Sequence, residues 1–141
     1  MNAPNPSGAI APTSALTAWI DAFNRHDVAA ISALYAKDAV LWGTTAPALI
    51  ASPAGVNNYF AQTFARAPAI TVTLGDFVSQ HPSDDLVIHS GMYTLLIPTP
   101  EGSVSLDGRF TLACRWMDGG WVIVNHHSSV VPAADALLTH R

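Results

Sequence analysis

A chain of 141 residues, with 10 acidic and 6 basic side chains and a formal charge of −4, holds one domain and one buried core. Half of its residues are hydrophobic and only 11% are charged, against about 25% in an ordinary soluble domain, which excludes intrinsic disorder. Without a Lys/Arg cluster there is no surface for nucleic acid or for an anionic membrane, and neither is expected as a partner.

In chain order, Pro4, Pro6, Gly8 and Pro12 interrupt an uncharged opening that lacks the basic start and unbroken apolar run of a secretory signal. Residues 1–12 therefore read as a disordered tail, 13–132 as a single domain and 133–141 as a second tail. Thr13 or Ser14 caps a helix whose apolar positions Leu16, Trp19, Ile20 and Phe23 share one face. Asn24-Arg25-His26 breaks it, Asp27 caps a second helix, and Val28, Ile31, Leu34 and Tyr35 carry the stripe on to Lys37-Asp38. A short strand is expected over Ala39–Gly43. Ser52-Pro53 opens a third helix, with Val56, Tyr59, Phe60 and Phe64 at helical spacing as far as Pro68. The stretch Ala39–Ala65 has no charge, but Pro47, Pro53, Asn57, Asn58 and Gln62 rule out a membrane-spanning helix.

Four β-rich runs follow, over 70–81, 86–97, 104–116 and 121–131, separated by turn-prone segments such as Asp118-Gly119-Gly120. Helices first and a meander last give an α+β fold, with helices on one face of a curved antiparallel sheet. In the second run Leu86, Ile88, Met92 and Leu96 lie on one face and Val87, Tyr93, Leu95 and Ile97 on the other. Both faces ask for burial while helices cover only one, so self-association is expected, most simply as a homodimer. Cys114 is the single cysteine, which excludes an intrachain disulfide and points to a buried, inert thiol in a cytoplasmic setting.

The segment Gly108–Ser129, with Trp19–Asp27, Leu34–Trp42 and Tyr59–Phe64 at compatible distances, resembles the nuclear transport factor two-like superfamily. Within it the chain is similar to SnoaL-like proteins related to the association domain of calcium/calmodulin-dependent protein kinase II, including bacterial members of the SgcJ/EcaC family. The resemblance implies a cone-shaped, cystatin-like fold with three helices in the N-terminal half packed on the concave face of the sheet, a pocket between them, and frequent dimers. It does not imply kinase activity, because no phosphate-gripping Gly-rich loop or catalytic Lys is present. Ketosteroid isomerase shares the superfamily and uses an Asp base with a Tyr and a protonated Asp as oxyanion hole. Matching Tyr35–Gly43 to that enzyme puts the base position at Gly43 and the tyrosine position near Trp19, so that machinery is missing.

His126 and His127 are adjacent in a strand, point to opposite faces and cannot chelate one ion together, and neither a metal nor another cofactor is expected. His26, His81 and His140 read as solvated surface residues. His127, His89 and Tyr93 are the candidates for acid/base or hydrogen-bonding roles, and Trp42 and Tyr59 join them as candidate ligand-binding aromatics. Arg109 is a candidate for holding a ligand carboxylate through its guanidinium fork, although strand alternation also places it, with Arg115, toward a dimer partner. The expected function is binding of a small hydrophobic or carboxylate ligand in an apolar pocket. The alternatives are a metal-independent acid/base enzyme of isomerase, cyclase or hydratase type, and a pure oligomerisation module.

Overall fold

A computed structural model describes residues 10–133; the expected tails fall mostly outside them, and so does His140. Helix α1 (Ser14–Asn24) buries Ala15, Leu16, Ala22 and Phe23. Thr13 occupies its N-cap position without a side-chain capping bond, and the Thr17 hydroxyl bonds back to the Thr13 carbonyl at 3.3 Å. The chain then turns through His26, whose φ of 54° lies in the left-handed region, and its ring stacks on Phe64 at 4.5 Å. His26 is thus half-buried packing and not a solvated surface residue.

Asp27 caps α2 (Val28–Ser32) by accepting from the Ala30 amide at 2.9 Å, as its short polar side chain suits. The helical stripe stops there, and strand β1 begins at Tyr35 and runs to Trp42. The longer helix and the later strand expected from sequence are both corrected. Pairing with the last strand decides the matter, since the Ile123 amide donates to the Leu34 carbonyl at 2.8 Å and Tyr35 lies opposite Ile123. Burying Tyr35, Ala39 and Leu41 satisfies these residues as well in a strand as the helical spacing would.

Helix α3 (Pro53–Arg66) starts as its sequence dictates, with Pro53 in the first turn and the Ser52 hydroxyl accepting from the Gly55 amide at 3.0 Å. Strands β2 (Thr71–Ser83), β3 (Leu86–Thr99), β4 (Gly102–Met117) and β5 (Gly120–Val130) form the antiparallel meander. The turn between β4 and β5 carries Asp118 at φ 54° and Gly119 at φ 82°, the positive values that a two-residue hairpin turn requires. The sheet order is β1-β5-β4-β3-β2, with β1 joining β5 in parallel. No helix among the described residues is long and apolar enough to cross a membrane.

The three helices cover one face of the sheet, where Phe23, Phe60, Leu112, Ile123 and Trp116 form the core. Asn24 ties α1 to the outer strand β2, donating to the Val72 carbonyl at 3.0 Å and accepting from the Val72 amide at 2.7 Å. Residues 10–12 are held as well: the Pro12 carbonyl lies 3.1 Å from His89 Nε2, and the Ile10 carbonyl 3.4 Å from the Trp121 indole nitrogen. The opposite face is uncovered, and Trp42, Val78, Met92 and Leu96 are exposed on it.

Candidate functional site

Between the sheet and α3 lies a cavity of about 660 Å³, within the size range of small-molecule sites. Its walls are mainly apolar, with Leu41 from β1, Phe60 from α3, and Leu95 and Ile97 from β3. The loop that follows β1, from Gly43 to Ile50, closes one side and is tied back by the Leu41–Ile50 bridge.

Two tyrosines project into this space because a glycine lies beneath each ring. A Cβ added to Gly108, directly across from Tyr93, would stand 2.2 Å from the Tyr93 Cζ. One added to Gly43 would stand 2.3 Å from the Tyr59 Cζ. The space beside Gly43 is thus filled by the Tyr59 ring. The Tyr93 hydroxyl is 2.7 Å from the Thr44 hydroxyl, and burial holds its phenol above the ordinary range against the lowering effect of hydrogen bonds from Thr44 and Ser128.

At the buried end sits His126, which the sequence reading passed over in favour of its neighbour. Its Nδ1 is 2.7 Å from the Tyr35 hydroxyl and its Nε2 is 2.8 Å from the Ser128 hydroxyl, while the Trp19 indole N–H donates to the Tyr35 oxygen at 2.9 Å. An indole can only donate, so the Tyr35 proton is directed to His126 Nδ1, and the neutral imidazole keeps its own proton on Nε2 to donate to Ser128. Burial pushes the His126 pKa down to about 3, with a smaller contribution from His127, and raises that of Tyr35. The imidazole is therefore uncharged at neutral pH with both nitrogens engaged.

The other candidate residues are distributed by strand parity. His127, Trp42 and Arg109 lie on the uncovered face, where the Trp42 and His127 rings are 6.4 Å apart and the Arg109 Nε donates to the Ser129 hydroxyl at 3.0 Å. None of the three lines the cavity. An extra residue in β5, Val124, accounts for His127: Cys114 pairs with Ile123 but Ala113 pairs with Asn125, and this bulge shifts the inward set from Trp121 and Ile123 to His126 and Ser128. Trp42 follows the inward-facing Leu41, and Arg109 precedes the inward-facing Phe110, so both point away.

His89 does face the helices, but it is a core histidine that does not line the cavity, placed between the Ser79 hydroxyl at 2.7 Å and the Pro12 carbonyl. Burial lowers its pKa. Of the six candidates only Tyr59 and Tyr93 line the cavity. Cys114 is buried, and burial pushes its thiol up to about 12, away from thiolate chemistry. Among the described residues no three His, Cys, Asp or Glu side chains converge as metal ligands.

Residues 13–134 match the model of the SnoaL-like domain family. No curated protein matches the chain. Its fold is similar to that of a candidate calcium/calmodulin-dependent protein kinase II association domain from Xanthomonas campestris, at 27% identity over 94% of this chain and 96% of that one, with a TM-score of 0.76. A candidate dehydratase of the nuclear transport factor two-like family from Streptomyces avermitilis matches at 20% identity, covering 84% and 93% of the two chains, with a TM-score of 0.76. A ketosteroid isomerase-like protein from Erwinia carotovora atroseptica matches at 17% identity, covering 91% and 99%, with a TM-score of 0.72. A further neighbour is described as having a cystatin-like fold.

Proposed function

The chain belongs to the SnoaL-like domain family, and from that premise we propose that it is a small-molecule-binding protein whose ligand occupies the cavity between α3 and the sheet. The observation that carries this reading is the lining itself: an open, mostly apolar volume with a few convergent hydroxyls and, among the described residues, no carboxylate. With both ring nitrogens of His126 engaged and no Asp or Glu among the described residues lining the cavity, a general base is not ready there, whereas Ser128 and Tyr93 are placed to hydrogen-bond a ligand. Calorimetric titration with 2-naphthol, followed in parallel by tryptophan fluorescence because Trp19 lines the cavity, should show saturable binding at one site per chain. No saturable signal at millimolar 2-naphthol would end this reading.

Acid/base catalysis is the second reading, favoured by the continuous Tyr35–His126–Ser128 hydrogen-bond chain and by the names of the dehydratase and isomerase-like neighbours. Product formation lost in a folded His126→Asn variant would decide for it over binding alone.

We also propose a homodimer through the uncovered sheet face. One rung of that face runs Trp42, His127, Thr111, Ser90, Val78 across all five strands, with Met92 beside it and Leu96 further along β3. Trp42 is 41% and Val78 69% exposed, and a second copy laid on this face would cover them. Light scattering should give twice the chain mass at low micromolar concentration and a shift toward monomer for Met92→Glu; a wild-type monomer refutes the dimer. A cytoplasmic location is proposed with it, supported by the single buried cysteine.

A further inference from the structure

Among the described residues, Arg66 is the single charged side chain that lines the cavity. It lies in the last turn of α3 and is exposed, so its guanidinium sits where the cavity meets solvent. Among the described residues it has no hydrogen-bond or ion-pair partner, in contrast to Arg25, which bonds Asp21 at 2.9 Å and Asp27 at 3.0 Å. Asn58 and Gln62, four residues apart and joined at 3.3 Å, continue the same line along α3 and also line the cavity. One helix edge is therefore polar and ends in a cation, the facing wall of Leu95, Ile97 and Leu106 is apolar, and the buried end carries Tyr93, Ser128 and His126.

We propose that the ligand is an apolar monoanion, an acid whose carboxylate pairs with Arg66 at the rim while its hydrocarbon or aromatic body fills the cavity. This rests on the small-molecule-binding reading above and adds the charge and polarity of what is bound. A carboxylate at the rim stays partly hydrated, so the desolvation cost that makes buried ion pairs unprofitable is small there. The guanidinium fork can meet both carboxylate oxygens, and low-dielectric walls strengthen the attraction. At the far end a carbonyl or hydroxyl of the ligand meets the Tyr93 and Ser128 hydroxyls. Arg109, the sequence-based candidate for this role, lies on the other face of the sheet.

Arg66 also sits well for offsetting the negative end of the α3 dipole, and that role alone would affect stability without conferring selectivity for ligand charge. The two are separated by titrating wild type, Arg66→Gln and Arg66→Lys with 2-naphthoate and with the isosteric neutral 2-naphthamide, at low and high salt, alongside thermal unfolding of each variant. Wild type should bind the acid about tenfold more tightly than the amide, as one charge-assisted pair allows. Arg66→Gln should remove that preference and bring the two probes to equal affinity, Arg66→Lys should keep part of it, and salt should weaken it. Equal binding of the two probes by wild type, or a preference that survives Arg66→Gln, overturns the assignment and leaves the cavity reading standing. Failure of both probes to bind overturns the cavity reading and this assignment with it.

Discussion

Replacing Gly108 with alanine should destabilise the protein by about 2–4 kcal/mol, although alanine is the better residue in an ordinary strand interior. The added methyl would stand 2.2 Å from the Tyr93 Cζ, so the ring has to leave its place. It is 7% exposed and tied to Thr44 by the 2.7 Å hydroxyl contact, so displacing it combines overpacking with the loss of buried hydrogen bonds. The displaced ring would also occupy the cavity that it now borders, and ligand binding should fall along with stability. Urea denaturation at unchanged m-value gives the stability difference. The same substitution in a Tyr93→Ala background should cost less than about 1 kcal/mol, because the clash has gone and only the coupling between two touching residues has been removed. A single Gly108→Ala variant as stable as wild type, or more so, would show that the ring moves freely and does not shape the cavity.

The order of helices and strands was readable because most of it rests on local chemistry: caps at Asp27 and Ser52, a proline at the start of α3, and an Asp-Gly turn before β5. The ends of α2 and β1 were less so, since Leu34 and Tyr35 fit a helical stripe and a strand equally well, and only pairing with Ile123 separates the two. The site was partly readable. Tyr59 and Tyr93 stand out as aromatics on elements that face each other, and both line the cavity. His126 was missed because a period of two carried from Trp121 and Ile123 points His127 inward, and the bulge at Val124 that reverses this is a property of the β4–β5 register. Nothing in that stretch breaks the tie, since either phase pairs an inward imidazole with an inward serine, His126 with Ser128 or His127 with Ser129. Arg66 escaped notice for another reason. A basic residue in the last turn of a helix is ordinary, and only the cavity beside it sets it apart.

The buried imidazole should leave its mark on the pH dependence of stability. Burial, with a smaller contribution from His127, holds His126 at about 3 in the folded chain, below the ordinary 6.5 it regains on unfolding. Between those values the unfolded state binds a proton that the folded state does not. Stability from this group is therefore fully present above pH 6.5 and falls progressively as the pH drops toward 3. At about 1.4 kcal/mol per pH unit the window sets a ceiling of roughly 4–5 kcal/mol, a large share of the stability of an ordinary domain. Protonation would make Nδ1 a donor facing the Tyr35 hydroxyl, whose oxygen already accepts from Trp19, so the network has to rearrange around the charge. His126→Asn keeps an acceptor for Tyr35 and removes the titration. It should lower stability at pH 7 by about 1–3 kcal/mol through lost packing and the lost Ser128 bond, and flatten the decline between pH 6 and pH 4. Some decline remains, because burial also lowers the pKa of His89 and acts in the same direction. Denaturation free energies measured across that range for both proteins provide the check: parallel curves would mean that His126 is not buried and neutral. The same neutrality fixes what the cavity offers a ligand at neutral pH, an N–H committed to Ser128 and the Ser128 hydroxyl beyond it, which favours a hydrogen-bond acceptor at that end of the bound molecule.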